Sequence, residues 1–337
     1  MPDEKPLLAI TMGDPTGIGP EIVVEALDTP GVHEVCRPLV VGDRGVLEAA
    51  ARIKGRVAPI VAAESPARAR PVAGRITVID LRNVNLARLE RGRVDPAGGK
   101  AAYDYLIHAA DLALRGVVDA IVTAPLNKEA LALAGYGPSG HTEILAQRCG
   151  VDQVTMMLVA GNLRVSHVST HVPLRQALDL VRRPRIVKVI ELTRAALLEL
   201  GIEAPAIAVA GLNPHAGEGG LFGEEESREI APAVAEARER GYDVVGPLPP
   251  DSVFLEPLRF DAVVAMYHDQ GHIPVKVRDF HGGVNVTLGL PIVRTSVDHG
   301  TAFDLAGTGR ANPASLLAAV RLAARLAAGR RAGGAKR

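Results

Sequence analysis

"VVAMYHDQGHIPVKV", residues 263–277, opens with four apolar residues and passes at once to His268, Asp269, His272 and Lys276. A continuous apolar run such as Val263-Val264-Ala265-Met266 reads as a strand buried on both faces of a parallel sheet. In open α/β sheets ligands bind beyond the carboxyl ends of such strands, which puts His268 and Asp269 where chemistry is expected. The alternative is that they are satisfied polar groups in an ordinary loop.

Working outward, the same kind of run recurs in "LLAITM" (7–12), "PLVVG" (38–42), "ITVIDL" (76–81), "AIVTAP" (120–125), "RVSHVST" (164–170), "AIAVAG" (206–211) and "DAVVAM" (261–266). Helical patterns separate them, and this alternation predicts βαβ units around a mostly parallel sheet. Residues 313–329 read as a terminal amphipathic helix, and "RRAGGAKR" (330–337) reads as a frayed, solvated tail. No internal repeat and no linker divides the chain, yet 337 residues exceed one typical core, so a two-lobed body is expected.

Hydrophobic residues make up 47% of the chain, enough for a large core, and Lys plus Arg equals Asp plus Glu at 38 each. That balance gives no global basic field for nucleic acid or a membrane surface, and leaves small acidic or phosphorylated ligands held by local charge. Two cysteines, Cys36 and Cys149, are too few for a disulfide framework or a thiolate metal cluster, which suits a reducing cytoplasm. The start "MPDEKPLLAITMG" lacks the pattern of a signal peptide, and no run approaches the roughly 20 apolar residues of a membrane span.

Three histidines each follow a strand-like run: His171 in "VSTHVPL", His215 in "GLNPHAGE" and His268 in "MYHDQG". Three neutral imidazoles with an open position would suit a zinc-like ion that polarises a hydroxyl or carbonyl oxygen. His167, on a strand, reads instead as a packed, hydrogen-bonded histidine. "GYGPSGHTE" (135–143) offers His141 for substrate binding or acid/base work, and Thr142 for binding or as a helix N-cap. Lys276, Asn285 and Arg294 supply two cations and an amide suited to phosphate or carboxylate. "GDPTGIGPE" (13–21) links a strand to a helix and could receive an anion at the helix N-terminus, but it lacks the spacing of the dinucleotide fingerprint. A tight structural turn is its other reading.

Taken in order, "MGDPTGIGPE", "TAPLNKEAL", "GHTE", "STHVPL", "LNPHAGE", "MYHDQG", "GVNVTLGLP" and "RTSVDHGTAFDLAG" resemble the 4-hydroxythreonine-4-phosphate dehydrogenase family, PdxA, from about residue 7 to about residue 310. The resemblance implies an isocitrate/isopropylmalate dehydrogenase-like α/β fold, with two α/β/α lobes around a cleft. On this chain the lobes would be 1–128 with 297–337, and 129–296, the second carrying much of the site and the dimer interface. It also implies a homodimer with a shared active site. His171, His215 and His268 would bind a divalent metal (Zn, Mg or Co), one of them supplied by the neighbouring subunit. His141, Thr142, Lys276, Asn285 and Arg294 match substrate-binding positions, with His141 and Lys276 as the catalytic pair.

The implied reaction is oxidation of the 3-hydroxyl of a 4-phosphorylated hydroxy acid by NAD or NADP, then decarboxylation. The resemblance does not point to the residues that hold the nicotinamide. "HIPVK" after "HDQG", with "TAPLNKEAL" and "GTAFDLAG", resembles the branch acting on 4-phospho-D-threonate or 4-phospho-D-erythronate, where the vitamin B6 branch continues with apolar residues. A zinc-dependent hydrolase of a phosphorylated small molecule would use the same three histidines without a nicotinamide. A phosphate-handling acyltransferase would leave them without a task, and a passive binding protein would gain little from buried polar groups.

Overall fold

The structure, a computed structural model, describes residues 5–56, 58–137, 140–256 and 258–334. Its strands among those residues are, in chain order, β1 (Leu7–Thr11), β2 (Arg37–Gly42), β3 (Ile60–Ala62), β4 (Ile76–Asp80), β5 (Ala120–Thr123), β6 (Thr155–Ala160), β7 (Leu163–His167), β8 (Ala206–Ala210), β9 (Asp243–Leu248), β10 (Ala262–Ala265), β11 (Val284–Leu288) and β12 (Val293–Val297). The chain divides into two compact α/β units, Met1–Asp152 with Leu290–Arg331, and Gln153–Gly289 with Ala332–Arg337.

The first unit carries strands in the order β3-β4-β2-β1-β5-β12. Every pairing within it is parallel. β1 is therefore flanked on both sides, and Leu8, Ala9 and Ile10 are fully buried, as expected for a central strand covered on both faces. The helix Ala314–Gly334 buries Leu316, Ala319, Val320, Ala323 and Ala327, a helical stripe. Thr295 of β12 donates its hydroxyl hydrogen bond to the Ala319 carbonyl at 2.9 Å, tying this helix to the sheet. The helix outruns the expected 313–329 and takes in most of the expected tail; residues 335–337 lie outside the described ones.

The unit boundaries differ from the expected lobe boundaries for two local reasons. The helix His141–Cys149 stays with the first unit through Arg148, which donates to Asp111 of the helix Pro96–Leu114 at 2.7 Å. The stretch Leu290–Arg331 belongs there because β12 pairs with β5.

The second unit is mixed, in the order β11-β6-β7-β10-β8-β9. β6 runs antiparallel to both β7 and β11, whereas β7, β10, β8 and β9 are parallel. β6 and β7 form a hairpin in which Ala160 faces Leu163 across Gly161-Asn162, with Gly161 at φ +59° as such a turn demands. The seven expected strands are present; β3, β6, β9, β11 and β12 were not among them. The core packs Ile186, Val189, Ile190 and Leu197 of the helix Arg183–Glu199 against Ile207, Val209, Val264 and Met266. Each such burial contributes about 1.5–3 kcal/mol. Because β7, β8 and β10 are parallel, the residues that follow them, His171, His215 and His268, leave the sheet at its carboxyl edge.

Candidate active site

His268 is the first residue of the helix His268–Arg278, not a loop residue. Its ring centroid lies 5.6 Å from that of His171. Both border a cavity of about 390 Å³ with Thr170, Pro173, Leu174 and Tyr267. The His268 Nδ1 is 2.6 Å from Asp269 Oδ1. A carboxylate accepts, so Nδ1 is the donor in this contact, and in a neutral ring Nε2 then has the lone pair that a metal-binding imidazole needs.

His215 behaves differently. It lies in a turn where His215, Ala216, Gly217, Glu218 and Gly219 all have positive φ, from +43° to +77°. Non-glycine residues in that region cost on the order of 1–3 kcal/mol each and persist only where the surroundings hold them. The holder is Glu226, buried, whose Oε1 accepts from the Leu212 and Asn213 backbone N–H at 2.8 and 2.7 Å, while Oε2 accepts from Asn213 Nδ2 at 2.9 Å. Among the described residues no group of three or more His, Cys, Asp or Glu side chains is placed to hold a metal ion. Within one chain, then, His171 and His268 come together and His215 does not complete a triad with them.

Behind His268 lies a second pair. The His272 ring stacks on His268 with centroids 3.6 Å apart, and its Nδ1 is 3.1 Å from Nε2 of His167. His167 is fully buried at the end of β7, as its position in the strand suggested, and burial, then the neighbouring His272, push its pKa down to about 3. Lys276, one helical turn beyond His272, sets its ammonium 5.7 Å from the Phe280 ring centroid. Asn285, on β11, has a buried Oδ1 with no hydrogen-bond partner among the described residues.

In the first unit, Arg294 projects from β12 and is almost completely buried, donating from Nη2 and Nε to Thr123 Oγ1 at 2.8 and 3.2 Å. Burial lowers its pKa to about 9, opposed by the Glu143 carboxylate. His141 opens the helix His141–Cys149, and burial, followed by the charges of Arg294 and Lys128, holds it well below an ordinary imidazole. A neutral ring beside a guanidinium can accept a proton or a hydrogen bond. Thr142 is not the N-cap: Gly140 is, and Glu143 Oε2 accepts from the Gly140 N–H at 2.9 Å. Pro138 and Ser139 of "GYGPSGHTE" lie outside the described residues.

"GDPTGIGPE" forms a strand-to-helix turn tied into the unit rather than an open anion cradle. A Cβ at Gly13 (φ +74°) would lie 2.4 Å from the Pro125 carbonyl oxygen, and one at Gly19 2.3 Å from that of Met12. Asp14 fills the turn with its own carboxylate, accepting from the Thr16 N–H and hydroxyl at 2.9 and 2.7 Å. Burial raises the Asp14 pKa, and the Thr16 bonds oppose the rise. Glu21 accepts from the Gly307 and Gly309 N–H at 2.6 and 2.9 Å, so two sequence motifs far apart in the chain interlock here. Glu226, Thr123 and the His167–His272 contact had no sequence signal of their own, beyond the helical spacing of His272 from His268.

The sequence model of one protein family, "Pyridoxal phosphate biosynthetic protein PdxA", matches residues 34–323. A 4-hydroxythreonine-4-phosphate dehydrogenase of Desulforapulum autotrophicum is 49% identical over 327 residues, covering 96% of either chain. A D-threonate 4-phosphate dehydrogenase of Cupriavidus necator is 50% identical over 330 residues, covering 97% of this chain and 99% of that one. A crystal structure of a 4-hydroxythreonine-4-phosphate dehydrogenase from Burkholderia phymatum superposes with a TM-score of 0.85 at 50% identity, covering 96% of this chain and 99% of the other. These names are those of dehydrogenases, oxidoreductases acting on a CH–OH group. With the match running through both units, the chain belongs to the PdxA family.

Proposed function

We propose that this protein is a metal-dependent, NAD- or NADP-linked dehydrogenase that oxidises the 3-hydroxyl of a 4-phosphorylated hydroxy acid and releases the carboxylate as carbon dioxide. Candidate substrates are 4-hydroxy-L-threonine 4-phosphate, 4-phospho-D-threonate and 4-phospho-D-erythronate. The observation that carries this reading is the His171–His268 pair at a shared cavity on the carboxyl edge of β7 and β10. Imidazole donors suit zinc or cobalt. Two from one chain and His215 as the third would make a ligand set divided between two copies; among the described residues of one chain no group of three is placed to hold an ion. A bound nicotinamide would supply the hydride acceptor, and an ion held by these histidines would supply Lewis acidity.

The chain's own residues then bind and orient. Arg294 and Lys276 would meet the anionic groups of the substrate, and Asn285 offers an amide whose buried oxygen awaits a donor. Neutral His141 would accept a hydrogen bond or proton, with Thr142 beside it, and Lys276 would serve as the second proton-handling group. Remote binding of the phosphate would hold the reacting hydroxyl in place.

A homodimer is part of the same reading. The helix His268–Arg278 and the residues after it expose Ile273, Val277 and Phe280 at 58%, 83% and 72%, an apolar face that a second copy would cover. We also infer an isocitrate/isopropylmalate dehydrogenase-like fold, with the two units as its α/β lobes.

The test is turnover of the three phosphorylated acids side by side with NAD and with NADP, following nicotinamide reduction and carbon dioxide release. Reduction with at least one of them is expected. Phosphate release without nicotinamide reduction would establish the hydrolase instead.

A further inference from the structure

The geometry points to the buried His167–His272 pair as the device that fixes the orientation of His268, making His272 a positioning residue for the metal site. This rests on the reading of His268 as a metal ligand.

The hydrogen bonds determine one consistent set of tautomers. His167 Nδ1 lies 3.4 Å from the Met156 carbonyl oxygen, which can only accept, so Nδ1 donates and Nε2 of the neutral ring accepts. His272 Nδ1, 3.1 Å from that Nε2, must then carry a proton. The same proton faces the His268 carbonyl oxygen at 3.0 Å. The His272 ring is thus pinned at one edge by β7 and by the first turn of its own helix.

Its face, in turn, lies against His268: the planes are 12° apart and the centroids 3.6 Å. Asp269 holds the other side of His268, 2.6 Å from Nδ1. A ring clamped by a stacked neighbour and a carboxylate keeps few rotamers, and a ligand already in place binds metal at lower entropic cost. The packing makes room for this arrangement at Gly271, where a Cβ would lie 2.3 Å from His167 Nε2. His272 is itself almost fully buried, so its ring serves the interior and not a solvent-facing ligand.

Cobalt(II) is the probe, because its visible absorption reports both occupancy and ligand geometry. His272→Leu should weaken cobalt binding by about 10- to 100-fold, the usual effect of removing a group that orients a ligand, and alter the visible spectrum. His272→Asn, whose amide can donate where Nδ1 does but which has no ring to stack on His268, should fall between wild type and the Leu variant. His272→Phe keeps the stacked ring without the donor, and should match the Leu variant while serving if Leu does not fold. Thermal melting of the metal-free proteins checks folding separately from binding.

Leu and Phe variants that bind cobalt within twofold of wild type, with an unchanged spectrum, would overturn the positioning role. His268→Ala separates the two levels. If it loses cobalt while His272→Leu does not, only the positioning inference fails; if His268→Ala binds like wild type, the ligand reading fails and the inference falls with it.

Discussion

Arg294 of the first unit and the three histidines of the second are held by opposite means. In the first, Arg294 sits within an all-parallel sheet, its guanidinium bonded to Thr123 on the adjacent strand. In the second, His171, His215 and His268 all lie past strand ends, one on a helix start and one in a left-handed turn. Arg294 needs no second layer from outside its sheet, because the adjacent strand itself supplies Thr123. Residues beyond strand ends need one: Glu226 under the His215 turn, His167 and His272 behind His268. The difference teaches that a buried cation can be fixed by the strands of a core, whereas side chains on turns and helix starts past strand ends are tied down from behind.

The largest effect should come from the proposed metal ligands. His268→Ala and His215→Ala are each expected to lower metal content and turnover by at least about 100-fold, measured by elemental analysis and steady-state rates. Co-refolded, these two inactive variants should regain activity through mixed dimers with one intact site, and no recovery would break the division of ligands between copies.

Next is Arg294. Arg294→Ala should reduce kcat/KM for a phosphorylated substrate by about 2 kcal/mol or more, roughly 30-fold, and spare its dephosphorylated analogue. Equal losses on both would reduce the core-built anchor to a structural residue.

Glu226→Gln keeps the shape but weakens the acceptor for three donors. It should destabilise the second unit by about 1–3 kcal/mol in denaturant titration and lower metal affinity, with nicotinamide binding unchanged. Unaltered metal affinity would mean that the strained turn does not depend on this carboxylate.

The smallest effect is a pH slope. The folded-state pKa of His167, about 3, lies below the ordinary 6.5, so on acidification the unfolded chain takes up the proton first. The stability present at pH 7 is therefore lost progressively from about 6.5 downward towards 3, by on the order of 1 kcal/mol at pH 5.5. A His167→Gln variant should show a flatter profile over that window, and identical profiles would exclude His167 as a buried neutral ring.

Sequence alone sufficed for the α/β class, for seven strands and for the placement of three histidines after strands, because apolar runs report burial directly and a parallel strand ends where its ligands begin. The eight ordered motifs likewise carried the family. Tertiary structure decided the rest. β6 and β11 run antiparallel, a matter of partner choice that no local run encodes. "GDPTGIGPE" proved a structural joint because Glu21 meets Gly307 and Gly309, residues nearly the length of the chain away. Thr142 yielded the N-cap to Gly140, and His272 turned inward to His167, 105 residues distant. Periodicity measures how much surface a segment must bury, while contacts between distant residues depend on which faces the folded chain brings together.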